Sequence, residues 1–194
     1  MLALEIFIYA VTAALAIFVA YMFWDNVERT ICLIRRQVPL VPSSRALRDA
    51  VIKEIKNHYP SMKTVCDIGS GYGGLARRIA HECDMRVVAL ENMTLPALMS
   101  KIADKIVRTN SKTIWKDAFK YISESGGFDI AVAYLGPGVN KRLVEVGDKV
   151  RVLITLDVPV PGLAAVRIID LPKGCTRYGC EKYPHRLFVY EFKH

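Results

Sequence analysis

The stretch Thr64-Val65-Cys66-Asp67-Ile68-Gly69-Ser70-Gly71-Tyr72-Gly73-Gly74 decides how this chain folds. A short apolar run enters a cluster of glycines, and Leu75, Ile79 and Cys83 then recur at helical spacing. The pattern predicts a buried strand, a tight loop and a helix; glycines let the chain turn sharply and let backbone N–H groups approach a ligand. Arg86-Val87-Val88-Ala89-Leu90 reads as a second strand and ends at Glu91, 22 residues beyond Gly69. A carboxylate at that place suits hydrogen bonds from both hydroxyls of an adenosine ribose, so a nucleoside-containing cofactor is expected. Asp67, two positions before the first glycine, suits a cationic ligand better than a pyrophosphate, which its charge would repel.

Outward from this loop the alternation continues. Leu47, Val51, Ile52 and Ile55 predict an amphipathic helix over Arg45 to Asn57, closed by Pro60. Pro96 fits the first turn of a helix after Glu91. Further strands are expected at Lys112 to Trp115, Phe128 to Tyr134 and Val150 to Leu156, with short helical segments between them. Such βα alternation predicts an α/β fold with a doubly wound, mostly parallel sheet. Val166 to Leu171 and Leu187 to Phe192 are β-rich with no helical pattern between, which predicts an antiparallel pair at the C-terminal sheet edge.

The N-terminus differs from the rest. Ile6 to Trp24 runs 19 residues without a formal charge. At about 1.5 Å per residue such a helix covers roughly 28 Å, close to the roughly 30 Å of bilayer hydrocarbon. Tyr9, Tyr21 and Trp24 suit the interface. A cleaved signal peptide would want a basic start, and Met-Leu-Ala-Leu-Glu has none; a buried core helix would be shorter. Arg29, Arg35, Arg36, Arg45 and Arg48 follow, against Asp25 and Glu28, so the positive-inside rule puts the C-terminal domain on the cytoplasmic side. The expected division is a transmembrane helix over 1–25, a polar juxtamembrane connector over 26–40, with Val38-Pro39-Leu40-Val41-Pro42 stopping any helix, and a domain over 41–194.

Asp67-Ile68-Gly69-Ser70-Gly71-Tyr72-Gly73 resembles the D-x-G-x-G-x-G motif of the class I, seven-stranded, Rossmann-like S-adenosylmethionine methyltransferases, and Glu91 resembles their acidic second-strand residue. The resemblance implies S-adenosyl-L-methionine as cofactor. Asp67, Gly69, Ser70, Gly71 and Gly73 would hold its methionine portion, Glu91 with Asn92 its ribose, and Asp117 would lie near the adenine. Val41-Pro42-Ser43-Ser44, Tyr134-Leu135-Gly136-Pro137 and Val158-Pro159-Val160-Pro161-Gly162 resemble a narrower, membrane-anchored group whose mitochondrial members methylate lysines of the ATP synthase c-subunit and the adenine nucleotide translocase. On that resemblance Tyr134 and Pro137, at the carboxyl end of the fourth strand, would line the acceptor site. The acceptor would be a lysine of a membrane-associated protein, or else a lipid, quinone or other small membrane molecule.

The net charge of +8 is compatible with nucleic-acid binding, but no dense basic run with interleaved aromatics lies outside the juxtamembrane stretch, so anionic headgroups are the expected partner. Five scattered cysteines predict reduced thiols rather than a disulfide framework. Cys175 and Cys180 with nearby His185 lack a fourth ligand, so no metal site is expected. Two rival functions share the glycine signal: a nicotinamide-dependent oxidoreductase, and a membrane module that binds S-adenosylmethionine without turnover.

Overall fold

The computed structural model describes residues 2–34, 43–171 and 185–193. The expected proline stop at Val38–Pro42 and the Cys175 and Cys180 thiols lie outside them. The chain divides into two compact units, Met1–Pro39 and Leu40–His194.

The first unit contains helix α1 (Leu2–Ile34). Its stretch Leu4–Trp24, 21 residues, is by length and composition able to cross a membrane, and none of that stretch is buried. Thr12 donates to the Ile8 carbonyl at 2.8 Å, Asn26 to Met22 at 2.7 Å and Thr30 to Asn26 at 2.8 Å. These side chains therefore donate back onto carbonyls of their own helix. The helix also outlasts its apolar stretch: residues 26–34, expected as connector, are helical, because neither proline nor glycine interrupts them.

The second unit is built on a seven-stranded sheet in the order β3-β2-β1-β4-β5-β7-β6. The strands are β1 (Thr64–Ile68), β2 (Arg86–Glu91), β3 (Ser111–Trp115), β4 (Phe128–Ala133), β5 (Val150–Leu156), β6 (Arg167–Asp170) and β7 (Arg186–Glu191). The first five pair in parallel, and β7 runs antiparallel between β5 and β6. This is the doubly wound, mostly parallel sheet expected from the alternation, down to the antiparallel edge pair, and its seven strands match the Rossmann-like methyltransferase fold that the resemblance implied. Strands covered on both faces read as continuous apolar runs, which is why β1, β4 and β5 are legible in the sequence. Edge strand β6 alternates instead: Ile169 packs inward while Ile168 is exposed.

Each face of the sheet carries its own core. On one face α2 (Arg45–His58) and α3 (Gly74–Glu82) pack Leu47, Val51, Ile55 and Ile79 against Val65, Ile130 and Ile154. On the other, α5 (Ala118–Glu124) and a 3₁₀ segment (Lys141–Lys149) pack Phe119, Ile122, Leu143 and Val146 against Ile68, Ala131 and Leu153. Helix α4 (Thr94–Val107) follows β2, and the single turn α6 (Pro137–Asn140) follows β4.

Two polar devices fix the outer parts of this frame. Asp129 at the start of β4 accepts hydrogen bonds from the Lys63 and Thr64 N–H groups and the Thr64 hydroxyl, all at 2.9 Å, latching β4 to β1 at their amino ends. Burial pushes its carboxyl up, but those bonds from Lys63 and Thr64, with Arg151 nearby, outweigh it and hold the pKa below the usual value. On the far side Arg167 of β6 pairs with buried Glu54 of α2 at 2.9 Å and hydrogen-bonds Tyr59, whose hydroxyl donates to Glu191 of β7 at 2.7 Å. The helix end and the two last strands are thus joined through one guanidinium.

Candidate active site

The chain runs from β1 outward to β3 and then returns to β4, so neighbours β1 and β4 flank the point where strand order reverses. Open α/β sheets bind ligands beyond the carboxyl ends of the strands there. The glycine loop lies at this point. Gly69, Gly71 and Gly73 all have positive φ, +72°, +56° and +70°. Space adds to this at Gly73, where a Cβ would come within 2.2 Å of the buried Ser100 hydroxyl; at Gly69 it would meet only the tip of the Leu135 side chain, which can turn aside. The loop is registered by the Leu90 carbonyl of β2, which accepts from Gly69 at 2.9 Å and Ser70 at 3.0 Å.

Both expected carboxylates converge on this loop. Glu91, 4 % exposed, accepts from the Gly71 N–H at 2.7 Å through Oε2 and from the Asn92 and Met93 N–H groups at 2.8 Å through Oε1. Asp67, also 4 % exposed, hydrogen-bonds the Ala76 N–H in the first turn of α3, while its Oδ2 is buried with no hydrogen-bond partner. Desolvation, then repulsion from Glu91, push the Asp67 pKa up to about 7 against the pull of Ala76. The Ser70 hydroxyl is likewise buried without a partner. Two buried carboxylates, one with an oxygen that lacks a partner, and an orphaned hydroxyl around a glycine bend form a site short of positive charge, which fits a cationic ligand.

Arg77 of α3 braces the loop. Its guanidinium donates to the Tyr72 carbonyl, to Ser100 Oγ at 3.2 Å and to Asp104 Oδ1 at 3.1 Å, the last two on α4. Asp104 in turn accepts from the Thr113 N–H of β3 at 2.8 Å.

The other expected residues divide. Asn92 is exposed beside Glu91, and its carbonyl accepts from the Trp115 indole at 3.0 Å. Asp117 is exposed and caps α5, its Oδ1 accepting from the Lys120 N–H at 3.0 Å. Pro137 is exposed at the first position of α6. Tyr134, at the end of β4, donates to Asp157 Oδ2 at 3.0 Å. Asp157 lies just past β5 at φ +61° and also contacts the His185 ring nitrogen Nδ1 at 2.8 Å and accepts from the Arg186 N–H at 3.1 Å.

Sequence reasoning missed Trp115, Asp157 and His185. Asp157 carried a signal, a carboxylate immediately after a strand, by the rule that singled out Glu91. Trp115 could have been noticed as an aromatic at the same end of the sheet. His185 stood out in the sequence only beside Cys175 and Cys180, and its place next to Asp157 depends on the antiparallel return of β7. Cys66 is buried in the core, where burial pushes its thiol up and keeps it inert.

No protein-family model matches the sequence, and neither does any curated protein. Solved structures do match the fold. An RNA methyltransferase from Salinibacter ruber in complex with S-adenosyl-L-homocysteine aligns with a TM-score of 0.62 at 19 % identity, over 78 % of this chain and 94 % of that one. A precorrin 8w decarboxylase from Methanobacterium thermoautotrophicum gives 0.59 at 18 %, covering 78 % and 92 %. Precorrin-6y C5,15-methyltransferase from Geobacter metallireducens gives 0.55 at 13 %, covering 78 % and 93 %.

Proposed function

We propose that this chain is a membrane-anchored S-adenosylmethionine-dependent methyltransferase that methylates a lysine of a membrane-associated protein, with its catalytic domain on the cytoplasmic side. The observation that carries the reading is the pair of buried carboxylates, Asp67 and Glu91, closing on one glycine bend, with an Asp67 oxygen left without a partner. A sulfonium and an ammonium would relieve that charge; the pyrophosphate of a nicotinamide cofactor would aggravate it. The S-adenosylhomocysteine carried by the Salinibacter ruber protein on the same fold supports this choice. The membrane part rests on α1 and on the basic residues that follow it in sequence.

S-adenosylmethionine supplies an electrophilic methyl group, so the protein's share is alignment and proton handling. Asp67 and Ser70 would take the methionine end and Glu91 the ribose, while the exposed Trp115 and Asn92 offer the adenine a flat, partly polar wall. A lysine acceptor must first lose a proton, which costs about 4.6 kcal/mol at pH 7 for an unperturbed pKa near 10.4. Tyr134 has turned its proton to Asp157, so its oxygen acts as an acceptor towards an amine N–H. Asp157, held by His185 and the Arg186 N–H, adds the negative charge that receives the departing proton through Tyr134.

The test is transfer of a radiolabelled methyl group into fractionated membranes, with Glu91→Ala as control and calorimetry for the cofactor. Label in protein that survives lipid extraction, lost with Glu91→Ala, is the expected result. Label in the lipid fraction would move the acceptor to a lipid or quinone; binding without transfer would leave a non-catalytic module. Affinity for a nicotinamide dinucleotide and none for S-adenosylmethionine would end the assignment.

A further inference from the structure

Helix α4 is built inside out. Its face towards the sheet is small or polar: Ala97 and Ser100 are buried there, and Asp104 is tied to Arg77 and Thr113. Its large apolar side chains point the other way. Leu98, Met99, Ile102 and Ile106 are 53, 46, 47 and 74 % exposed. With Leu95, half-buried, they follow the i, i+3, i+4, i+7, i+11 spacing of one helical stripe. Scattered exposed apolar residues are ordinary; a continuous stripe marks an interaction surface.

The rim of the stripe points to its occupant. Lys101 and Lys105 flank it on the helix, and Arg108 stands at its end, all exposed. On the neighbouring edge strand β3, exposed Trp115 shares the face of Thr113, which is bonded to α4. The helix's acid, Asp104, is turned inward to Arg77. An apolar stripe edged by cations and an indole fits the headgroup region of an anionic bilayer. We infer that α4 is a second membrane contact, lying in the surface of the same anionic bilayer that the first unit enters. The inference rests on α1 being an anchor. Because α4 begins three residues after Glu91, its docking would bring the cofactor site to the membrane surface, where a membrane-embedded lysine is presented.

The full chain, reconstituted in vesicles of equal parts phosphatidylcholine and phosphatidylserine, is given a photoreactive diazirine amino acid at position 102 and, separately, at Ile168 on the opposite sheet edge. Illumination and mass spectrometry then identify the adducts. Lipid adducts at position 102 in several-fold excess over position 168 are expected, falling several-fold in Lys101→Gln/Lys105→Gln or in pure phosphatidylcholine. Adducts to a second copy of the chain, equal labelling at both positions, or no lipid adduct at 102 while alkaline washing leaves the chain in the vesicles would each overturn the inference and spare the anchor. A chain that alkali strips from the vesicles, unlabelled at 102, would overturn both.

Discussion

Replacing Asp67 by asparagine removes a charge that the folded protein holds against its own interest. The group sits at about 7 in the fold and near 3.9 when the chain unfolds. A raised carboxyl pKa means that the folded state keeps its proton longer. Stability from this group is therefore full below about pH 4 and is lost as pH rises through about 7. Three pH units at about 1.4 kcal/mol each make the loss about 4 kcal/mol. A neutral amide escapes it, so Asp67→Asn is expected to match the parent near pH 4 and to exceed it near pH 8. At roughly 2–4 °C per kcal/mol the gain in Tm is roughly 8–16 °C. Cofactor affinity is expected to move oppositely: in the parent it rises towards tenfold per pH unit between about pH 5 and 7 as Asp67 ionises for its cationic ligand, and in Asp67→Asn it is weak and flat. Thermal melts and calorimetry across pH 4–8 measure both. Parallel stability curves for the two proteins, or undiminished affinity in the variant, would refute the reasoning.

Tyr134→Phe keeps the ring and loses the bond to Asp157, so kcat should fall about 10²-fold or more while S-adenosylmethionine affinity holds, as single-turnover methylation and calorimetry would show. Arg167→Ala leaves buried Glu54 with only His58, at 3.6 Å, among the described residues and should cost about 3 kcal/mol by urea unfolding, whereas Arg186→Ala at the exposed pair with Asp170 should cost less than about 1 kcal/mol. Asp129→Ala removes the acceptor of three hydrogen bonds and should cost about 2–3 kcal/mol at pH 7 in the same unfolding assay. The pH-linked part of that cost should be full above about pH 4 and be lost as pH falls through the depressed folded pKa, because the hydrogen bonds favour the ionised carboxylate.

The alternation of apolar runs and the glycine bend made the sheet legible in the sequence, because each is a local pattern: strands covered on both faces must be apolar throughout, and Gly69 and Gly73 take left-handed backbone that other residues rarely adopt. Asp67 and Glu91 were legible for the same reason, their distance from the bend being set by one βα unit. Asp117 shows the limit. An acid after a strand can cap the next helix as well as hold a ligand, and spacing does not separate the two. The Tyr134–Asp157–His185 cluster gathers side chains from three strand ends far apart in the chain, so only the completed sheet reveals it. Helix α1 is longer than its apolar stretch implies, because the polar residues after Trp24 end the apolar run without ending a helix that nothing breaks.

One guanidinium, that of Arg77, grips the glycine bend through Tyr72 and α4 through Ser100 and Asp104. Two bodies on one handle cannot respond independently. If lipid prefers one setting of α4 and the methyl donor one setting of the bend, the free energies are linked, and each ligand alters the other's affinity by the same factor. An enzyme wired this way would load its donor most readily when α4 is already docked on lipid.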